Sequence, residues 1–154
     1  MTARDLPRLH LGSDHAGIEL RRLLSDRLRD AGYAIATEEG PVDPTDSVDY
    51  PDIAAIVARR VVGDPGSLGI LVCGTGQGMA MTANRIPGAR AGVCGDSFSA
   101  AAIREHNDAN ILCLGQRVLG TELAWVVLRS FLAAEFAGGR HARRVAKIGA
   151  AGGS

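Results

Sequence analysis

The chain has 154 residues, 46% of them hydrophobic and 22% charged, with 17 basic residues balancing 17 acidic ones. That length supports one domain with a real core, and the composition excludes a disordered chain. The charge balance gives no footprint for nucleic acid or an anionic membrane surface, and no window approaches the roughly 20 apolar residues that span a bilayer.

The opening "MTARDLPRLH" has no apolar run of the signal-peptide kind, so the expected location is the cytoplasm. Three widely spaced cysteines (Cys73, Cys94, Cys113) give neither a disulfide framework nor a CxxC motif. The four histidines (His10, His15, His106, His141) include no HxxxH pair, and no bound metal is expected. The only lysine, Lys147, lies in the tail, which argues against Schiff-base chemistry.

In chain order, "RLHLG" (8–12) reads as a short buried strand. From Ile18 to Ala31, Leu20, Leu23, Leu24, Leu28 and Ala31 recur at helical spacing, with Glu19, Arg21, Arg22, Asp26 and Arg29 between them, and Gly32 stops the helix. "YAIAT" (33–37) is a second strand, and 38–49 is a loop rich in Pro and Asp. Pro51 suits the first turn of a helix running to about Val62. "LGILVC" (68–73) is a third strand, followed by a glycine-rich loop and a helix to about Arg85. "ARAGVCG" (89–95) is a fourth strand. Asp96 or Ser97 caps a helix through about His106, "NILCLG" (110–115) is a fifth strand, and Thr121 caps a helix to about Phe136. After Gly138 and Gly139, residues 140–148 can form one more short helix.

Five alternations of strand and helix mean a parallel sheet covered on both faces. The expected fold is therefore a three-layer αβα, Rossmann- or flavodoxin-like arrangement of strand order 2-1-3-4-5. It makes one domain over 1–148, with a flexible tail at 149–154. Ligands in such sheets sit outside the carboxyl ends of the strands, where "SDHAG" and "GTGQG" both fall.

"ILVCGTGQGMAM" (70–81) lacks the lysine and hydroxyl of a Walker A loop, and its third glycine comes one residue early for the dinucleotide fingerprint. What remains is a set of backbone N–H groups suited to an anion or a reaction oxyanion. Cys94 and Cys113 read as inert strand residues. Cys73 is either a third small hydrophobe or a reagent, because a thiolate at a helix N-terminus is stabilised. Asp14 either orients His15 for proton transfer or caps the next helix. In "REHNDAN" (104–110), His106 could simply end a helix. Arg140 and Arg144, four apart, present two guanidinium forks on one face, as a phosphate site or a solvated tail would. His10 reads as a core or interface residue. The helix over 123–136 is apolar nearly all round, so its surplus is expected to meet another subunit.

The motifs "GSDHAG", "DYPDIA", "GILVCGTGQGMAMTANRIPGARA", "REHNDANILCLGQRV" and "GGRHARRV", in this order and spacing, resemble ribose-5-phosphate isomerase type B over about residues 8–147. That family also holds galactose-6-phosphate and allose-6-phosphate isomerases. The resemblance implies cofactor- and metal-free interconversion of an aldose phosphate and its ketose through a cis-enediol. It makes Cys73 the base and gives the enediolate oxygens to Gly74, Thr75, Gly76 and Gly78. Asp14, His15 and His106, with Asn107, serve ring opening and the hydroxyls. Arg117, Arg140 and Arg144 take the phosphate, and Tyr50 lies near. One branch of the family uses a glutamate where this chain has Met79, and methionine cannot take a proton, so the resemblance is to the cysteine branch. Residues 38–49 match the family least, which leaves the sugar open between five carbons, six, or fewer. A sugar-phosphate- or nucleotide-binding module would need only the arginines and glycines. Because the helix from Ser97 runs antiparallel to the strands, His106 is expected at the sheet edge opposite Cys73. It would then serve a partner's site in a homodimer with composite active sites.

Overall fold

The computed structural model describes residues 5–152; the expectations for 1–4 and 153–154 lie outside the described residues. Five strands, β1 (Leu9–Ser13), β2 (Ile35–Glu39), β3 (Leu68–Cys73), β4 (Ala91–Val93) and β5 (Ile111–Gly115), form one parallel sheet. Six helices accompany them: α1 (Ile18–Asp30), α2 (Tyr50–Val62), α3 (Gln77–Ala83), α4 (Ser97–Asn107), α5 (Thr121–Ala133) and α6 (Arg140–Ala151).

Local chemistry explains most boundaries. Gly32 follows α1 at φ +94°, and Pro51 sits in the first turn of α2. Asp96 caps α4 by accepting from the Ser99 N–H. β2 begins at Ile35 rather than Tyr33. Thr121 is the first residue of α5 instead of its cap, and α5 ends at Ala133. α6 continues through Ala151, so residues 149–151, expected in the flexible tail, are helical.

The sheet order is β2-β1-β3-β5-β4, which corrects the expected 2-1-3-4-5 at its last two places. The reason lies in burial. All five residues of β5 are buried, whereas β4 is only half-buried throughout. The central place goes to the strand that is apolar on both faces, and the short β4 takes the edge. There the side-chain amide of Asn84 accepts from the Ala91 N–H and donates to the Ala91 carbonyl, each at 2.8 Å.

Alternate strand residues feed two cores. Leu9, Leu11, Ile70, Val72, Leu112 and Leu114 pack with α1, α4 and α5 on one face. Leu71, Cys73, Ile111 and Cys113 pack with α2 and α3 on the other. The apolar surplus expected on α5 is largely absorbed within the chain. Trp125 and Leu132 pack on the first core, Arg27 lies 5.7 Å over the Trp125 ring, and Leu123 and Val126 stay exposed. No helix among the described residues is long and apolar enough to cross a membrane.

Candidate active site

Strand β1 delivers Asp14 and His15 to the carboxyl edge of the sheet. Asp14 is buried, and its Oδ1 accepts from the Ala16 N–H at 3.0 Å, so it caps the short 3-10 turn His15–Gly17. It does not orient the neighbouring imidazole. That role falls to the loop after β2: the Val48 N–H donates to His15 Nδ1 at 3.2 Å. With Nδ1 accepting, the neutral ring carries its proton on Nε2.

On the adjacent strand, β3 ends at Cys73, which is buried and whose Sγ accepts from the Gly76 N–H at 3.1 Å. Gly76 takes φ +83°, and a Cβ there would lie 3.1 Å from the Leu114 carbonyl carbon. Gly78 is needed for a different neighbour, since its Cβ would lie 2.3 Å from Tyr50 Cε2. The Tyr50 ring is therefore seated on the loop. Arg117, after β5, joins them: its N–H donates to the Gly74 carbonyl at 3.0 Å, and its Nη1 would be 3.3 Å from a Cβ at Gly74. Thr75 is exposed, and its Oγ1 accepts from the Gln77 N–H at 3.3 Å. Met79 is fully buried in the core.

Asp14, His15, Tyr50, Cys73–Gly78 and Arg117 thus share one edge. His106, Asn107, Arg140 and Arg144 are elsewhere. α4 ends at Asn107 and the chain enters β5 at Ile111, so His106 lies at the amino edge, a strand length of about 17 Å from the level of Cys73. His106 stacks on His141 with ring centroids 4.5 Å apart. Desolvation, then the charges of His106, Arg140 and Arg144, lower the pKa of His141, which favours its neutral imidazole. A groove of about 460 Å³ runs beside it, touching Asn107, Val145 and Ile148.

The remaining thiols behave as the inert reading expects. Burial pushes the Cys94 thiol up to about 11, and that of the fully buried Cys113 higher still. His10 is a core residue held at both nitrogens, Nδ1 2.8 Å from Thr37 Oγ1 and Nε2 2.9 Å from Asp64 Oδ2. Sequence reasoning missed two groups. His141 had a visible signal, its place between the two arginines. Arg21 had none, since its helical position groups it with the solvated charges of α1, yet it is 5% exposed.

The family model described as Ribose/Galactose Isomerase matches residues 9–148. A solved structure of ribose-5-phosphate isomerase B from Clostridium thermocellum is similar at a TM-score of 0.90 and 47% identity, covering 94% of this chain and 96% of that one. Ribose-5-phosphate isomerase B of Escherichia coli is 39% identical over 143 residues, which is 93% of this chain and 95% of the relative. D-erythrulose-4-phosphate isomerase of Pectobacterium atrosepticum is 40% identical over 140 residues, with coverages of 90% and 91%.

Proposed function

Because the chain belongs to the ribose/galactose isomerase family, we propose that it interconverts ribose 5-phosphate and ribulose 5-phosphate, a step of the pentose phosphate pathway, with Cys73 as the base. The observation that carries this reading is the Cys73 sulfur at the end of β3, met by the Gly76 N–H and flanked on the same edge by His15, Tyr50 and Arg117.

Asp14 and the Nε2–H of His15 serve opening of the furanose ring. The Cys73 thiolate then takes the proton from C2 of the open aldose, and the C2 electron pair forms the C1–C2 double bond as charge moves to O1. Gly74, Thr75, Gly76 and Gly78 hold the enediolate oxygens with preorganised donors, where such donors act most strongly. The thiol returns the proton to C1 while the O2 proton passes to O1, so that C2 becomes the ketone, C1 carries the hydroxyl and the thiolate is regenerated. Arg117, Arg140 and Arg144 bind the phosphate. No cofactor or metal takes part in this scheme.

His106, Asn107, Arg140 and Arg144 reach the reaction from a second copy, giving a homodimer with two composite sites. Support comes from four exposed apolar side chains on elements that leave the carboxyl edge. Tyr50, Met81, Phe98 and Val118 are 42%, 70%, 81% and 65% exposed, and a partner would cover them.

A shorter sugar phosphate is the second reading, favoured by the similarity to a D-erythrulose-4-phosphate isomerase. Turnover of ribose 5-phosphate by the purified chain, in the presence and absence of a chelator, tests the first. Turnover of a tetrose phosphate alone would select the second. Binding of these sugars without turnover would make the chain a binding module.

A further inference from the structure

Arg21 carries a buried charge in a helix whose other basic side chains are better exposed. A guanidinium in such a place loses its hydration and needs its donors occupied. Its Nη1 donates to Ser13 Oγ at 2.7 Å and to the Glu39 carbonyl at 3.3 Å, and its Nη2 donates to the Pro41 carbonyl at 2.9 Å. Its Nε lies 3.4 Å from Glu38 Oε1. One arm of the fork therefore touches the residue just before Asp14, and the other holds the start of the strap, residues 40–49, that leads from β2 to α2. The strap is seated closely there. Gly40 takes φ +128°, and a Cβ on it would lie 2.2 Å from the Ser13 carbonyl oxygen and 2.3 Å from Arg21 Nη1. At its far end the strap returns to the site, where the Val48 N–H bonds His15 Nδ1.

We propose that Arg21 is a positioning residue: its guanidinium clamps the strap onto the end of β1, and the strap holds His15 as the Nε2–H tautomer that meets the sugar. Only the last step rests on the isomerase reading. A neutral imidazole free of the Val48 N–H would populate both tautomers and rotate, and only one arrangement presents a donor to the substrate.

The test uses full-length protein with 15N-labelled histidine, observed at a pH where imidazole is neutral. Long-range 1H–15N correlation should show His15 Nδ1 bare and Nε2 protonated in the wild type. In Arg21→Met the two nitrogens should move toward averaged shifts, and kcat/KM for ribose 5-phosphate should fall about tenfold or more. Arg21→Lys keeps the charge and part of the bonding, and should recover part of both signals. Gly40→Ala puts a methyl against both the Ser13 carbonyl and Arg21 Nη1, so it parts the strap from the clamp with the arginine still in the chain and should reproduce the loss; it also decides the matter if Arg21→Met does not fold. A folded Arg21→Met or Gly40→Ala protein with wild-type His15 shifts would overturn the clamp. Altered shifts with unchanged kcat/KM would overturn the positioning role. A wild-type chain that shows the expected tautomer but turns over no sugar phosphate would instead defeat the isomerase reading and leave the clamp standing.

Discussion

Gly115→Ala tests whether the end of β5 is the template on which the Cys73 loop is built. A Cβ on Gly115 would lie 2.8 Å from the Thr75 Cα, carbonyl carbon and carbonyl oxygen, all of them backbone. Ordinary contact begins at 3.4 Å, so the Thr75 peptide must retreat by about 0.6 Å (3.4 − 2.8). The strand cannot easily yield in its place. Gly115 pairs with Cys73 in the ladder, and its carbonyl accepts from both the Val118 and Leu119 N–H groups. The displacement therefore falls on the residues proposed to hold the enediolate. A misplacement approaching 1 Å can lower a rate by about a hundredfold, and overpacking costs about 1–3 kcal/mol of stability. We expect kcat/KM for ribose 5-phosphate to drop by about tenfold to a hundredfold, with a modest fall in Tm. Gly149→Ala is the control, since nothing lies within 4 Å of its would-be Cβ and it sits in helix α6. It should keep wild-type turnover and gain up to about 1 kcal/mol. A folded Gly115→Ala enzyme with wild-type kcat/KM would refute the reasoning.

Cys73→Ala should abolish isomerisation while leaving inorganic phosphate binding intact; exchange of the substrate C2 hydrogen with tritiated water at wild-type rate would remove Cys73 as the base. Arg140→Ala or Arg144→Ala should raise KM for phosphorylated substrate about tenfold, because each loses a charge-assisted bond, and unchanged KM in both would make them solvated tail residues. Mixing Cys73→Ala with His106→Ala under subunit exchange should restore about a quarter of wild-type activity, since half of the dimers would carry one intact site; a dead mixture with proven exchange would place His106 in its own chain's site. The side-chain hydrogen bonds from Arg8 and then His10 hold the Asp64 carboxyl at about 2. A carboxylate depressed in this way stabilises the fold fully above its unfolded pKa near 4, and the contribution is lost as pH falls toward 2. Asp64→Asn should therefore lose stability near neutrality and show a flatter stability profile between pH 4 and 2 in urea melts; an unchanged profile would show that this cluster does not govern acid sensitivity.

What the sequence disclosed followed the range of the forces involved. Capping by Asp96, the stop at Gly32 and the strand ending at Cys73 depend on neighbours within a few residues, and all were readable. The order of β4 and β5 depends on which strand can be buried on both faces. That signal was present in "ILCLG" against "ARAGV", but only when the two were compared. Arg21 was unreadable because its partners, Ser13, Glu39 and Pro41, come from two other elements. The Asp14–His15 adjacency left two readings open, and the capping one holds: the carboxylate serves the backbone, and a distant loop orients the ring. The split of the site residues between two sheet edges was legible in outline, since a helix antiparallel to its strands must end at the opposite edge.

Asn84 gives the sheet a border. An edge strand with free backbone groups is a template on which any extended segment can crystallise another ladder, and β4 is such a strand. By engaging the N–H and carbonyl of Ala91 together, one side-chain amide mimics the peptide unit of a neighbouring strand and occupies the place where the next one would dock. With only Ala91–Val93 in the strand, little ladder remains for a newcomer to zip along. Copies of this chain are thereby discouraged from joining sheet to sheet through β4, and the proposed dimer would instead form through side chains at the carboxyl edge, where an encounter completes a site instead of extending a fibre.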